Sequence, residues 1–135
     1  MSEQLTTIVV GWSPDEYGEA ALARAIEEAR LRGGRVVVVN ATRGDALVDE
    51  RFADEDQLAA LATELGAAGI EVDVRRSMGA DVVDQVLAVA ADVAADLIVI
   101  GLRRRTPVGK LLMGSVAQRI LLGAECAVLA VKPAA

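Results

Sequence analysis

The stretch Asp96-Leu97-Ile98-Val99-Ile100-Gly101-Leu102-Arg103-Arg104-Arg105-Thr106-Pro107-Val108-Gly109-Lys110-Leu111-Leu112-Met113-Gly114-Ser115-Val116-Ala117-Gln118 decides the fold. Leu97 to Ile100 is an unbroken apolar run closed by Gly101, the pattern of a strand buried on both faces. A loop with three consecutive arginines follows, and a new apolar-periodic segment begins after Gly114-Ser115. Ser115 with Gln118 three residues later has the form of a capping box, which predicts a helix starting at Ser115. Strand, basic loop and helix N-terminus together describe an anion site, because the first N–H groups of a helix and its positive dipole end favour a phosphate. A plainer reading stands beside it: Gly101 turns the chain, Ser115 caps, and the arginines are solvated.

Upstream, the same grammar repeats. Thr7 to Gly11 reads as a first buried strand. Ser13-Pro14-Asp15-Glu16 reads as a helix start, with Ser13 as N-cap, Pro14 at the first helical position and Glu16 closing a capping box. Ala21, Leu22, Ala25, Ile26 and Ala29 form the apolar stripe of that helix, and Gly33-Gly34 ends it. Val36 to Val39 is a second buried strand, ending at Asn40-Ala41. Thr42 to Asp49 is polar and irregular, the segment expected to be most mobile. A second helix is expected from Phe52 to Leu65, stopped by Gly66 or Gly69. Ile70 to Arg75 alternates apolar and polar residues, which predicts a strand with one face wet, at a sheet edge. Asp81 to Ala94 reads as a third helix, and Ala127 to Val131 as a last strand that Pro133 ends.

Strands separated by helices call for parallel pairing, right-handed crossovers and helices on both faces. Ligands in such sheets sit outside the carboxyl ends of the strands, where the strand order reverses. Gly11-Trp12-Ser13, Asn40-Ala41 and the segment from Gly101 to Ser115 should line that crevice. The last strand is short and apolar. An exposed apolar edge is a liability, so pairing with its copy in a homodimer is expected.

Composition narrows the chemistry. The chain of 135 residues fits a single domain, and its 53% apolar content supports a core. Only Trp12, Tyr17 and Phe52 are aromatic, so the core must be aliphatic. There is no histidine, which removes Ser-His-Asp and Cys-His catalysis and histidine metal sites. Ser115 has only Lys110 nearby as a titratable partner, and an enzyme such as a slow ATPase is the weakest of the available readings. Cys126 cannot form an internal disulfide and reads as a small core residue. With no signal segment and no apolar run of about 18 residues, a cytoplasmic protein off the membrane is the default. The net charge of −6 argues against general nucleic-acid binding. Yet residues 101–135 carry six basic and one acidic side chain. That local patch suits a small anion, or alternatively an acidic surface of a partner. The phosphate-binding patterns G-x-x-x-x-G-K-[ST] and G-x-G-x-x-G are both absent.

Several runs carry a resemblance that spans nearly the whole chain. They are Ile8-Val9-Val10-Gly11 leading to Glu19-Ala20-Ala21-Leu22, then Gly114-Ser115-Val116 with Ile120-Leu121, and Cys126-Ala127-Val128-Leu129-Ala130-Val131-Lys132. The chain resembles a universal stress protein domain. In the nucleotide-binding branch of that family the signature is a glycine, two residues, a glycine, nine residues, then Gly-Ser or Gly-Thr. Here Gly101 and Leu102-Arg103 are followed by Arg104 in place of the second glycine, then by nine residues from Arg105 to Met113 and by Gly114-Ser115. The family's ATP binders also place an aspartate after the first strand, where this chain has Ser13. The resemblance implies a flavodoxin-like, Rossmann-like three-layer sandwich with strand order 3-2-1-4-5. It further implies dimerisation through the last strand and a role in stress survival. ATP or another adenine nucleotide, with Mg²⁺, is the implied ligand. Gly11, Trp12, Ser13, Ala41, Gly101, Arg103, Arg104, Gly114, Ser115 and Val116 are the candidate contacts. The alternative within the family is a dimeric interaction module that binds no nucleotide, with the basic loop used for partners.

Overall fold

Short runs of Val and Ile become strands, and the segments of 3.6-residue period become helices. The computed structural model describes residues 6–42, 55–79, 81–102 and 114–133. In chain order the elements are β1 (Thr7–Gly11), α1 (Glu16–Arg32), β2 (Arg35–Thr42), α2 (Glu55–Ala67), β3 (Val72–Met78), α3 (Val82–Asp92), β4 (Leu97–Gly101), α4 (Ser115–Gly123) and β5 (Ala127–Val131). The strands form a parallel sheet of order β3-β2-β1-β4-β5. This is the flavodoxin-like sandwich that the sequence implied.

Alternation along each central strand feeds two cores, one per face. Ile8, Val10, Val36, Val38, Leu97 and Val99 pack against Ala21, Leu22, Ala25 and Ala29 of α1 and Leu58, Leu61 and Leu65 of α2. Val9, Val37, Val39, Ile98 and Ile100 pack against Val83, Val86 and Ala90 of α3 and Ala117 and Ile120 of α4. Each Val, Leu or Ile side chain among them taken from water contributes about 1.5–3 kcal/mol, set against the entropy of ordering the chain. Because α1 and α2 cover one face and α3 and α4 the other, the direction of winding switches between β1 and β4.

The edges differ. β3 alternates half-buried and exposed positions towards its end. Its Arg75 donates from Nε to Asp73 (2.9 Å) and from Nη1 to Asp92 of α3 (3.2 Å). Charges on an edge strand discourage pairing with another sheet. β5 carries no charged residue within Ala127–Val131.

Several boundaries move from those expected. β2 runs on to Thr42, just past the expected end at Asn40-Ala41, since Asn40, Ala41 and Thr42 continue to pair with Arg76, Ser77 and Met78. β3 begins at Val72. Ile70, expected to open it, is buried in the turn after α2, where its N–H donates to the carbonyl of Leu65 (3.1 Å). Gly66 lies inside α2, and it is Gly69, at φ 82°, that makes the left-handed turn ending it. Phe52 and residues 43–49 of the expected mobile segment lie outside the described residues.

Candidate functional site

The crevice follows from the switch in winding. α1 leaves β1 towards one face and α4 follows β4 on the other, so Gly11 and Gly101 end their strands between diverging elements. A cleft of about 470 Å³ lies there, within the size range of small-molecule sites. Gly11, Trp12, Ser13, Ala41, Gly101, Gly114, Ser115 and Val116 all line it. Arg103 and Arg104 lie outside the described residues, as do Arg105 and Lys110.

The floor is tied down by backbone bonds. Trp12 N–H donates to the carbonyl of Val39 (2.9 Å), and Asn40 Nδ2 donates to the carbonyl of Trp12 (3.0 Å). Asn40, expected in the crevice, is fully buried behind it and serves to join the ends of β1 and β2. The buried Trp12 ring donates from Nε1 to Glu19 on α1 (3.3 Å).

Both helix starts beside the cleft differ from expectation by a short step. Asp15, not Ser13, is the N-cap of α1: its Oδ1 accepts from Gly18 N–H (2.9 Å), and Glu16 is the first helical residue. A carboxylate offers two acceptor oxygens where a hydroxyl offers one. The second oxygen takes the Ser13 hydroxyl (2.9 Å). For α4 the N-cap is Gly114, extended at φ −61°, ψ 152° and without a side-chain bond, and Ser115 is the first helical residue. Gln118 N–H closes the first turn onto the Gly114 carbonyl (3.0 Å). The N–H groups of Ser115, Val116 and Ala117 precede that bond. α1, α2 and α3 each carry acidic residues in the first turn, whereas α4 carries none. The positive end of α4 therefore meets the cleft without an acidic neighbour on its own first turn.

Gly101 has a structural reason to be glycine. A Cβ there would lie 2.4 Å from the carbonyl oxygen of Tyr17 and 2.8 Å from its carbon. The first turn of α1 thus rests directly on the end of β4. Gly114 differs, since a Cβ there would meet no described residue within 4 Å.

Sequence reasoning missed one pair. Asp81, the N-cap of α3, accepts from Asp84 N–H (3.0 Å) and from Arg119 Nη1 on α4 (2.8 Å), and both Asp81 and Arg119 line the cleft. The hydrogen bond from Arg119 holds the Asp81 carboxyl below its ordinary range, and the same bond raises the Arg119 guanidinium. The signal was its spacing: Arg119 lies four residues after Ser115, on the same helix face. The partner on α3 could not be read from spacing. Cys126 packs at the margin of the core face shared with α3 and α4, and burial raises its thiol.

Comparison with known proteins now places the chain. Residues 5–132 match the universal stress protein family. A universal stress protein from Mycolicibacterium smegmatis is 47% identical over 126 residues, covering 93% of this chain and 97% of the relative. Among solved structures, the universal stress protein from Archaeoglobus fulgidus in complex with dAMP is 29% identical with a TM-score of 0.67, covering 96% of this chain and 98% of that one. A universal stress protein in complex with cAMP is 27% identical with a TM-score of 0.72, covering 98% of this chain and all of that one (100%).

Proposed function

The chain belongs to the universal stress protein family, and from that premise we propose that it is a stress-response protein binding an adenine nucleotide in the cleft between β1 and β4. The observation that carries the reading is the convergence of Gly114, Ser115 and Val116, at a start of α4 that no side chain caps, with Gly11, Ser13 and Ala41 on one cleft. Gly11, Trp12 and Ala41 would take the adenosine end. The N–H groups of Ser115 and Val116 would take the phosphate, with Arg103 and Arg104 as further contacts. The dAMP and cAMP complexes of two relatives supply the ligand class. Among the described residues, no group of three or more histidine, cysteine, aspartate or glutamate residues could hold a metal ion. Mg²⁺ would enter with the phosphates of ATP.

We read the protein as a binder rather than a catalyst. Among the described residues, the two carboxylates lining the cleft, Asp15 and Asp81, are committed to helix caps and to Ser13 and Arg119. The uncharged edge at β5 is the proposed homodimer contact, with Val128 to Val131 half-buried in the single chain. Among the described residues no helix is long and apolar enough to cross a membrane.

Isothermal titration of the purified protein with ATP and Mg²⁺, and separately with AMP, tests the reading. A saturable heat is expected. No heat and no thermal shift at millimolar ligand would leave the interaction module as the better reading, and sedimentation would then read the dimer by itself.

A further inference from the structure

Arg119 is the sole cation among the described residues that line the cleft, and its two acidic companions there, Asp15 and Asp81, both serve as helix caps. Resting on the nucleotide reading above, we propose that Arg119, held in place by Asp81, is a further phosphate contact that adds to the cleft's preference for a phosphorylated nucleotide over the bare nucleoside. A guanidinium presents five N–H donors in a planar fork. Asp81 takes one of them, at 2.8 Å, and Asp84 Oδ1 stands 3.6 Å from Nη2, beyond hydrogen-bond range. The side chain remains 49% exposed, which leaves the rest of the fork for a ligand.

Placement supports the role. Arg119 sits one turn beyond Ser115 on the same face of α4, so its head group and the first-turn N–H groups border one volume. A long flexible side chain loses rotamer entropy when it grips a ligand. The bond to Asp81, itself anchored by Asp84 N–H, meets part of that cost before the ligand arrives. Asp81 is thus a positioning residue, and Arg119 is the contact.

The test is isothermal titration of AMP and adenosine into wild type, Arg119→Met, Arg119→Lys and Asp81→Asn. Wild type should bind AMP more tightly than adenosine. Arg119→Met should lose about tenfold or more in AMP affinity while adenosine stays within about twofold, the size of one charge-assisted hydrogen bond. Arg119→Lys should recover part of the loss. Asp81→Asn should weaken AMP by a few-fold and leave adenosine unchanged. Adenosine binding doubles as the check that each variant is folded; should Arg119→Met not fold, Arg119→Gln reads the same ratio. Equal effects on AMP and adenosine, or no effect on AMP, would overturn the assignment while leaving nucleotide binding intact. Wild type that binds neither ligand would overturn both.

Discussion

Gly101, at the end of β4, lies against the backbone of Tyr17 in the first turn of α1, so close that an added Cβ would fall 2.4 Å from the Tyr17 carbonyl oxygen. Gly101→Ala must therefore push α1 off the sheet at the mouth of the cleft. Overpacking of this kind costs about 1–3 kcal/mol. Gly114→Ala, with no described residue within 4 Å of the added Cβ and a negative φ, should cost under about 1 kcal/mol. Urea unfolding of the two variants against wild type reads the contrast.

Asp81 gives a dependence on pH. Its carboxyl is held low mainly by the Arg119 hydrogen bond. A depressed carboxyl contributes stability that is present above its unfolded pKa, about 3.9, and is lost as pH falls through the lower folded value. The stability gap between wild type and Asp81→Asn should be full above about pH 5 and should shrink on acidification. Thermal melts of both proteins from neutral pH downward check it. A gap that grew with acid would contradict the pairing.

Ile120 anchors α4 under the cleft. It is 1% exposed and packs among Val83, Val86 and Ile100. Ile120→Ala should destabilise by about 2–5 kcal/mol. Leu122, two positions on and 81% exposed, should tolerate alanine within about 0.5 kcal/mol. Chemical denaturation distinguishes the two faces of one helix.

Burial raises the Cys126 thiol, so less thiolate is present at neutral pH than for a free cysteine. Alkylation by iodoacetamide should be slower in the native protein than in urea. The native rate should rise with pH beyond the point where an ordinary cysteine levels off.

Strand and helix identities were legible because each core strand is a run of Val and Ile and each helix carries an apolar stripe. The ends of the elements were less so. Between Ser13 and Glu16 two side chains, Ser13 and Asp15, could cap α1, and only the folded backbone awards the place to Asp15, whose second oxygen then holds Ser13. At α4 a glycine caps without any side chain, so Ser115 looked like the better candidate. Gly101 was read as a ligand-side glycine, and the Tyr17 backbone supplies a reason to keep it that lies 84 residues away along the chain. The Asp81–Arg119 pair spans 38 residues between two helices. Contacts at that separation are set by packing, not by local pattern.

The most direct measurement is an amide ¹H–¹⁵N NMR titration of the wild-type protein with ATP and Mg²⁺. The expected result is saturable shifts at Gly11, Ser13, Gly101, Gly114, Ser115 and Val116, with the β3 edge from Val72 to Met78 left unmoved. Unchanged spectra at millimolar nucleotide, or shifts gathered on β3, would contradict a nucleotide site at the start of α4.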